Sequence, residues 1–126
     1  MRLFLGIEIP SPIKKELDQL FFGLPGANWV NKEQLHITLR FIGEIDRHQM
    51  KDIDDSLKLI NFPMFPIKLK SVGAFYNKRY PKATWVGVDG NDQLLDLQKK
   101  IERTLRQTLT LERKKYLPHL TLARLR

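Results

Sequence analysis

The chain has 126 residues, 42% of them hydrophobic and 29% charged, with a formal net charge of +8 and no cysteine. That length predicts one domain around one core, and without cysteine there is no disulfide, no thiolate chemistry and no Cys-ligated zinc or iron–sulfur site. No stretch approaches the ~20 apolar residues that span a bilayer and residues 1–10 lack the apolar run of a signal peptide, so the expectation is a cytoplasmic protein with no membrane partner.

Leu3, Leu5, Ile7 and Ile9 alternate with Arg2, Phe4, Gly6 and Glu8, which predicts a strand with one face on the core. Pro10 stops it. Ser11 and Pro12 read as the cap and first position of a helix with apolar residues at Ile13, Leu17, Leu20, Phe21 and Leu24, broken by Gly23, Pro25 and Gly26. A short extended piece around Trp29 precedes a strand over 35–42. Asp46 caps a second helix with the stripe Met50, Ile53, Leu57 and Ile60.

Pro63 and Pro66 punctuate the middle of the chain. Ile67, Leu69 and Phe75 predict another strand, with Gly73 a bulge or kink. Tyr76 to Lys82 reads as a polar, basic loop containing Pro81, and Thr84 to Val88 as a strand. Asn91 caps a third helix with the stripe Leu94, Leu97, Ile101 and Leu105. Arg113 to Tyr116 is a basic connector into a last strand, Leu117 to Leu125. Mixed strands and helices without a linker predict a single α+β or α/β domain.

The charge is uneven. Residues 1–67 hold 8 basic and 9 acidic side chains, whereas residues 68–126 hold 14 basic and 5 acidic. Such a basic half suits a polyanion, of which nucleic acid is the commonest. A solvated face that keeps a small protein soluble is the competing reading.

Two segments read alike, Leu35-His36-Ile37-Thr38-Leu39 and Pro118-His119-Leu120-Thr121-Leu122, at an offset of 83 residues. The same offset carries the first strand onto the Thr84–Val88 strand and the first helix onto the third. Each half thus reads strand, helix, then a strand bearing His-x-Thr-Leu, as in a duplication. In a strand, residues two apart share a face. His36 and Thr38 therefore point one way, as do His119 and Thr121, while the aliphatic residues between them point to the core.

Two imidazoles beside two hydroxyls suit phosphodiester chemistry. A neutral ring takes a proton from an attacking hydroxyl, a protonated ring gives one to the leaving oxygen, and each role is typically worth about 10²–10⁴-fold. Threonine hydroxyls can donate to non-bridging phosphate oxygens. Threonine is a poor ligand for transition metals and no carboxylate completes a set, so no metal or cofactor is expected. His48, outside both motifs, is expected at the surface.

The paired motifs resemble the signature of the 2H phosphoesterases. Met1-Arg2-Leu3-Phe4-Leu5, Trp29-Val30, Leu39-Arg40-Phe41-Ile42-Gly43, Gly73-Ala74-Phe75, Trp85-Val86-Gly87-Val88 and Pro118 to Arg124 resemble, more narrowly, the RNA 2′,3′-cyclic phosphodiesterases, also called the 2′-5′ RNA ligase family. The resemblance implies a two-lobed α+β fold, each lobe an antiparallel sheet with outer helices, and a central cleft carrying both motifs.

It also implies opening of a terminal 2′,3′-cyclic phosphate to a 2′-phosphomonoester, with reversible 2′-5′ ligation as a companion reaction. His36 would be the proton donor and His119 the proton acceptor. Thr38 and Thr121 would bind phosphate. Arg124 matches a family arginine, although strict alternation puts it on the face opposite His119, so that a bulge or strand end is required. Arg40, on the His36 face, and Phe41, as a base-stacking platform or a core aromatic, complete the expected substrate-binding set.

Family members usually continue past the second motif with further strands, and this chain stops at Arg126. The expectation is a motif-two strand with an open edge that recruits a second copy, a homodimer by strand exchange. The alternative functions are an RNA-binding module of the same fold without turnover and a phosphodiesterase for small cyclic or 2′-5′ linked nucleotides.

Overall fold

Alternation, caps and helical stripes place the elements where the residues demand them. The computed structural model describes residues 1–17, 27–77, 79–89 and 92–125. They form the strands β1 (Arg2–Glu8), β2 (Ala27–Trp29), β3 (His36–Glu44), β4 (Leu69–Asn77), β5 (Tyr80–Val88) and β6 (His119–Leu125) and the helices α1 (Ser11–Leu17), α2 (Arg47–Lys58) and α3 (Asp92–Leu105). No described helix is long and apolar enough to cross a membrane. The expected residues Leu20, Phe21 and Leu24, the breakers after them and the cap at Asn91 lie outside the described residues.

The strands form one six-stranded sheet in the order β1-β3-β6-β5-β4, with β2 also paired to β6, and helices complete an α+β fold. The described chain divides into two compact units, each drawn from both halves of the sequence. One comprises residues 1–5, 39–67 and 90–117; the other comprises residues 6–38, 68–89 and 118–126.

In the first unit, α2 begins at a capping box. Asp46 accepts from the Gln49 backbone N–H at 2.8 Å, and the Gln49 side chain accepts from the Asp46 N–H at 3.0 Å. Ile53 on α2 and Leu94, Ile101 and Leu105 on α3 are buried, as their spacing requires. Gln98 is buried as well and donates to the Leu39 carbonyl and to Glu102.

In the second unit, β4, β5 and β6 pair antiparallel in sequence-adjacent and crossover fashion. The expected loop over 76–82 is instead the tip of a hairpin. β4 runs to Asn77, β5 starts at Tyr80, and Tyr76 pairs with Pro81. A register shift between Phe75 and Tyr76 breaks the regular ladder there, which is where a strand tolerates proline. The bulge expected at Gly73 sits instead at Ser71, an extra residue between Lys70 and Val72 with φ of 66°.

Motif two is not an open edge. β6 pairs with β5 on one side and with β2 and β3 on the other, so the physical reason for strand exchange at this position is removed. The ends of the main strand order are β1 and β4.

Candidate active site

Both motif histidines open a strand: β3 begins at His36 and β6 at His119. A single 3₁₀ turn over Lys32–Gln34 delivers the chain into β3, a turn the sequence reading missed. Pro118 delivers it into β6, and its ring biases the residue before it toward extended backbone.

The two strands meet antiparallel at Ile37↔Leu120, and these residues are equivalent under the 83-residue offset. A local twofold relation therefore passes between them. Antiparallel pairing at this position puts His36, Thr38, His119 and Thr121 on the sheet face opposite Ile37 and Leu120. Ile37 and Leu120 are buried, at 1% and 0% exposure, on the opposite face, while the four motif side chains are half-buried. All four lie in the same compact unit.

The two imidazoles are held differently. His36 Nδ1 lies 2.6 Å from the Gln34 carbonyl oxygen. A carbonyl only accepts, so Nδ1 carries the hydrogen. The His119 ring meets Phe75 edge to face, with centroids 5.0 Å apart at 82°.

A bulge in β6 puts Arg124 on the histidine face. Trp85 pairs with Thr121 but Thr84 pairs with Ala123, so Leu122 is an extra residue on β6. The Leu122 carbonyl accepts instead from the Val30 N–H at 2.9 Å. Beyond the bulge Arg124 pairs with Ala83, which shares its β5 face with Trp85 and Gly87, the partners of Thr121 and His119. Arg124 is exposed.

Arg40 and Phe41 belong to the other unit. Arg40 is only 11% exposed, lies 3.3 Å from Glu102 and donates to the Glu112 carbonyl at 2.8 Å. Arg106 joins the same group through Glu102 and the Leu111 and Glu112 carbonyls. Two of the Arg40 nitrogens are thus engaged within its own unit. Phe41 is an odd number of positions from His36, on the other face of β3, where it is 67% exposed and lies 5.9 Å from the Phe4 ring. His48 is exposed on α2, as expected.

Trp85 and Phe75 were not singled out by the sequence reading. Register puts Phe75 across from Ala83 and Gly73 across from Trp85, on the face of His119 and Thr121. A Cβ at Gly73 would overlap the indole ring, and one at Gly87 would crowd both that ring and the Lys70 carbonyl. Both glycines are present because the tryptophan lies over them. Phe75 flanks the indole, with centroids 5.7 Å apart. The signal in the sequence was Trp85-x-Gly87 on one strand with Gly73 on the strand before it, and it requires the register to be read.

Lys68, Lys70, Arg79, Lys82 and Arg124 are all exposed and all in this unit, a basic field around the paired motifs. No group of three or more metal-ligating side chains occurs among the described residues.

Residues 7–85 match the family of LigT like phosphoesterases. An RNA 2′,3′-cyclic phosphodiesterase of Methanocaldococcus jannaschii is 39% identical over 129 residues, spanning 100% of this chain and 72% of that protein. Its Thermotoga maritima counterpart is 31% identical, spanning 100% of this chain and 71% of that protein. Among solved structures, TT0787 of Thermus thermophilus superposes with a TM-score of 0.87 at 26% identity, covering 99% of this chain and 74% of that one. Apo LigT of E. coli gives a TM-score of 0.86 at 24% identity, covering 98% of this chain and 71% of that one.

Proposed function

The chain belongs to the LigT-like phosphoesterase family, and we propose that it is an RNA 2′,3′-cyclic phosphodiesterase that opens the terminal cyclic phosphate to a 2′-phosphomonoester. The observation that carries this reading is the register at Ile37↔Leu120, which gathers two imidazoles and two hydroxyls on one sheet face.

In this mechanism His119 takes a proton from water as the water oxygen attacks phosphorus. The bond from phosphorus to O3′ breaks, and His36 gives the Nε2 proton to O3′. The product carries a 2′-phosphate and a free 3′-hydroxyl, and proton exchange with solvent resets both rings. The bond from His36 Nδ1 to Gln34 suits the donor role, because the carbonyl stabilises the protonated ring and aims Nε2. Thr38 and Thr121 donate to the non-bridging oxygens, and Arg124 balances the charge that grows on them. No step calls for a metal ion.

The same displacement with an RNA 5′-hydroxyl entering at phosphorus forms a 2′-5′ linkage, as reversible ligation. The substrate is an RNA or oligonucleotide end held by the basic field. In this reading the protein works in the cytoplasm, on ends left where RNA is cut.

The test is to incubate the purified chain, with EDTA present, with an RNA ending in a 2′,3′-cyclic phosphate and to identify the product end group. A 2′-phosphate is expected. A 3′-phosphate overturns the assignment of the leaving oxygen. Salt-dependent RNA binding without turnover overturns the enzyme in favour of a binding module.

A further inference from the structure

The two ends of the main strand order are built differently. A strand in that position presents a row of backbone N–H and C=O groups that invites another chain. At one end β4 is blunted. Its backbone turns left-handed at the extra residue Ser71, with φ of 66°, and Lys68 and Lys70 stand exposed beside that break. At the other end β1 has none of these guards. Arg2–Glu8 holds no proline, no lysine and no residue of positive φ, and exposed and half-buried residues alternate over its whole length.

The direction of the β1 backbone groups follows from its two ends. The Met1 carbonyl accepts from the Ile45 N–H at 2.8 Å, and the Ile9 N–H donates to the Leu35 carbonyl at 3.4 Å. Leu35 and Ile45 bracket β3, so Met1 and Ile9 both turn toward that neighbour. Backbone groups alternate sides along an antiparallel strand. Leu3, Leu5 and Ile7 therefore turn inward as well, and Arg2, Phe4, Gly6 and Glu8 turn their N–H and C=O groups outward.

That outward set is its own complement. A second β1 laid antiparallel about a twofold axis at Leu5 sets Arg2 against Glu8, Leu3 against Ile7, Phe4 against Gly6 and Leu5 against itself. The outward-turned residues are then the hydrogen-bonded pairs, as an antiparallel ladder requires. Each end of the seam brings one cation to one anion. Each phenyl ring faces a residue with no side chain, so the two rings pass the axis without a clash. Centring the axis on Phe4 or Gly6 instead leaves both charges without a partner, so the charges specify the register.

We propose that β1 is the seam of a homodimer, in which a second copy adds its β1 antiparallel about a twofold axis at Leu5 and makes the two sheets continuous. The contact is isologous, so it closes at two copies. The blunted β4 then ends the joined sheet on both far sides and stops further growth.

The experiment is sedimentation velocity on the purified chain from low micromolar to submillimolar concentration. A species of twice the chain mass is expected, increasing with concentration. Arg2→Glu sets like charges against each other at both ends of the seam and should raise the dissociation constant about 10- to 100-fold. Adding Glu8→Arg exchanges the charges and should restore the dimer, a rescue that damage to the fold would not allow.

Amide hydrogen exchange supplies an independent readout. The Phe4 and Gly6 amides should gain protection as the dimer forms, while the Leu5 amide stays protected throughout. A monomer at every concentration overturns the proposal, as does a dimer whose stability ignores both variants. Phe4 and Gly6 amides protected in a monomer overturn it too, because another segment of the chain then covers the edge.

Discussion

Each His-x-Thr-Leu motif is followed by an arginine, and the two arginines have gone separate ways. After motif one, β3 keeps its alternation and Arg40 is drawn into a half-buried group with Glu102, Arg106 and the Glu112 carbonyl. After motif two, the extra residue Leu122 shifts the alternation and turns the exposed Arg124 toward the histidine face. Alternation alone puts Arg40 on the His36 face and the inserted residue puts Arg124 on the His119 face, so what separates the two arginines is their partners: Arg40 is engaged within its own unit and Arg124 is exposed. A duplicated pattern preserves its chemistry only where the surroundings of its side chains are preserved too.

The largest effect should come from the shared part of the comparison. His36→Ala and His119→Ala should each lower kcat on RNA cyclic-phosphate ends by about 10²–10⁴-fold, with far-ultraviolet circular dichroism unchanged. Full activity in either variant breaks the paired mechanism.

The next prediction tests the structural arginine. Glu102→Ala strands Arg40 and Arg106 beside each other without their carboxylate. It should lower unfolding free energy by about 1–3 kcal/mol in urea titrations, the scale of a charged group losing a hydrogen-bond partner at a half-buried position. A loss under 1 kcal/mol would mean that Arg40 is not held as the geometry indicates.

Arg124→Ala tests its counterpart. A charge-assisted bond is worth about 1.5–3 kcal/mol, so kcat/KM should fall roughly 10- to 100-fold while the urea midpoint stays within error. An unchanged kcat/KM would show that the bulge serves packing alone.

A smaller effect belongs to the cap of α2. Asp46→Ala removes the capping box and should cost about 1 kcal/mol in the same assay, with no change in turnover.

The smallest effect is confined to high pH. Burial pushes the Tyr116 hydroxyl up to about 12. A folded-state value above the unfolded one favours the neutral ring, so its contribution is fully present below about pH 10. It fades as pH rises from there through 12. Absorbance of phenolate should therefore show one tyrosine titrating late, and stability should begin to fall above pH 10.

Much of this was legible because it is local. Alternation in β1 and the motif strands, the cap at Asp46 and the stripes of α2 and α3 need only nearest neighbours in sequence. The motif residues were legible because they occur twice. What could not be read depends on register. Pro81 suggested a loop, yet a ladder irregularity accommodates it inside a hairpin. Gly73 suggested a bulge, and only its pairing with Trp85 shows that the glycine makes room for a ring. The need for a bulge before Arg124 followed from strand periodicity, whereas its position at Leu122 required the β5–β6 pairing. Arg40 lies 62 residues from Glu102, a separation no local rule bridges.

The pairing of Ile37 with Leu120 has one more consequence. A residue that faces its own repeat lies at a point about which the surroundings look alike from either end. A phosphate resting above that point would meet a histidine and a threonine whichever way round it arrived, and the motifs alone could not tell an entering oxygen from a departing one. Directionality must come from whatever breaks the likeness, and the candidates are few: the carbonyl behind His36, the phenyl ring beside His119, and an arginine exposed on one side only. Exchanging those neighbours between the two ends, rather than altering the histidines, is how such a site would be made to run its acid and base in opposite order.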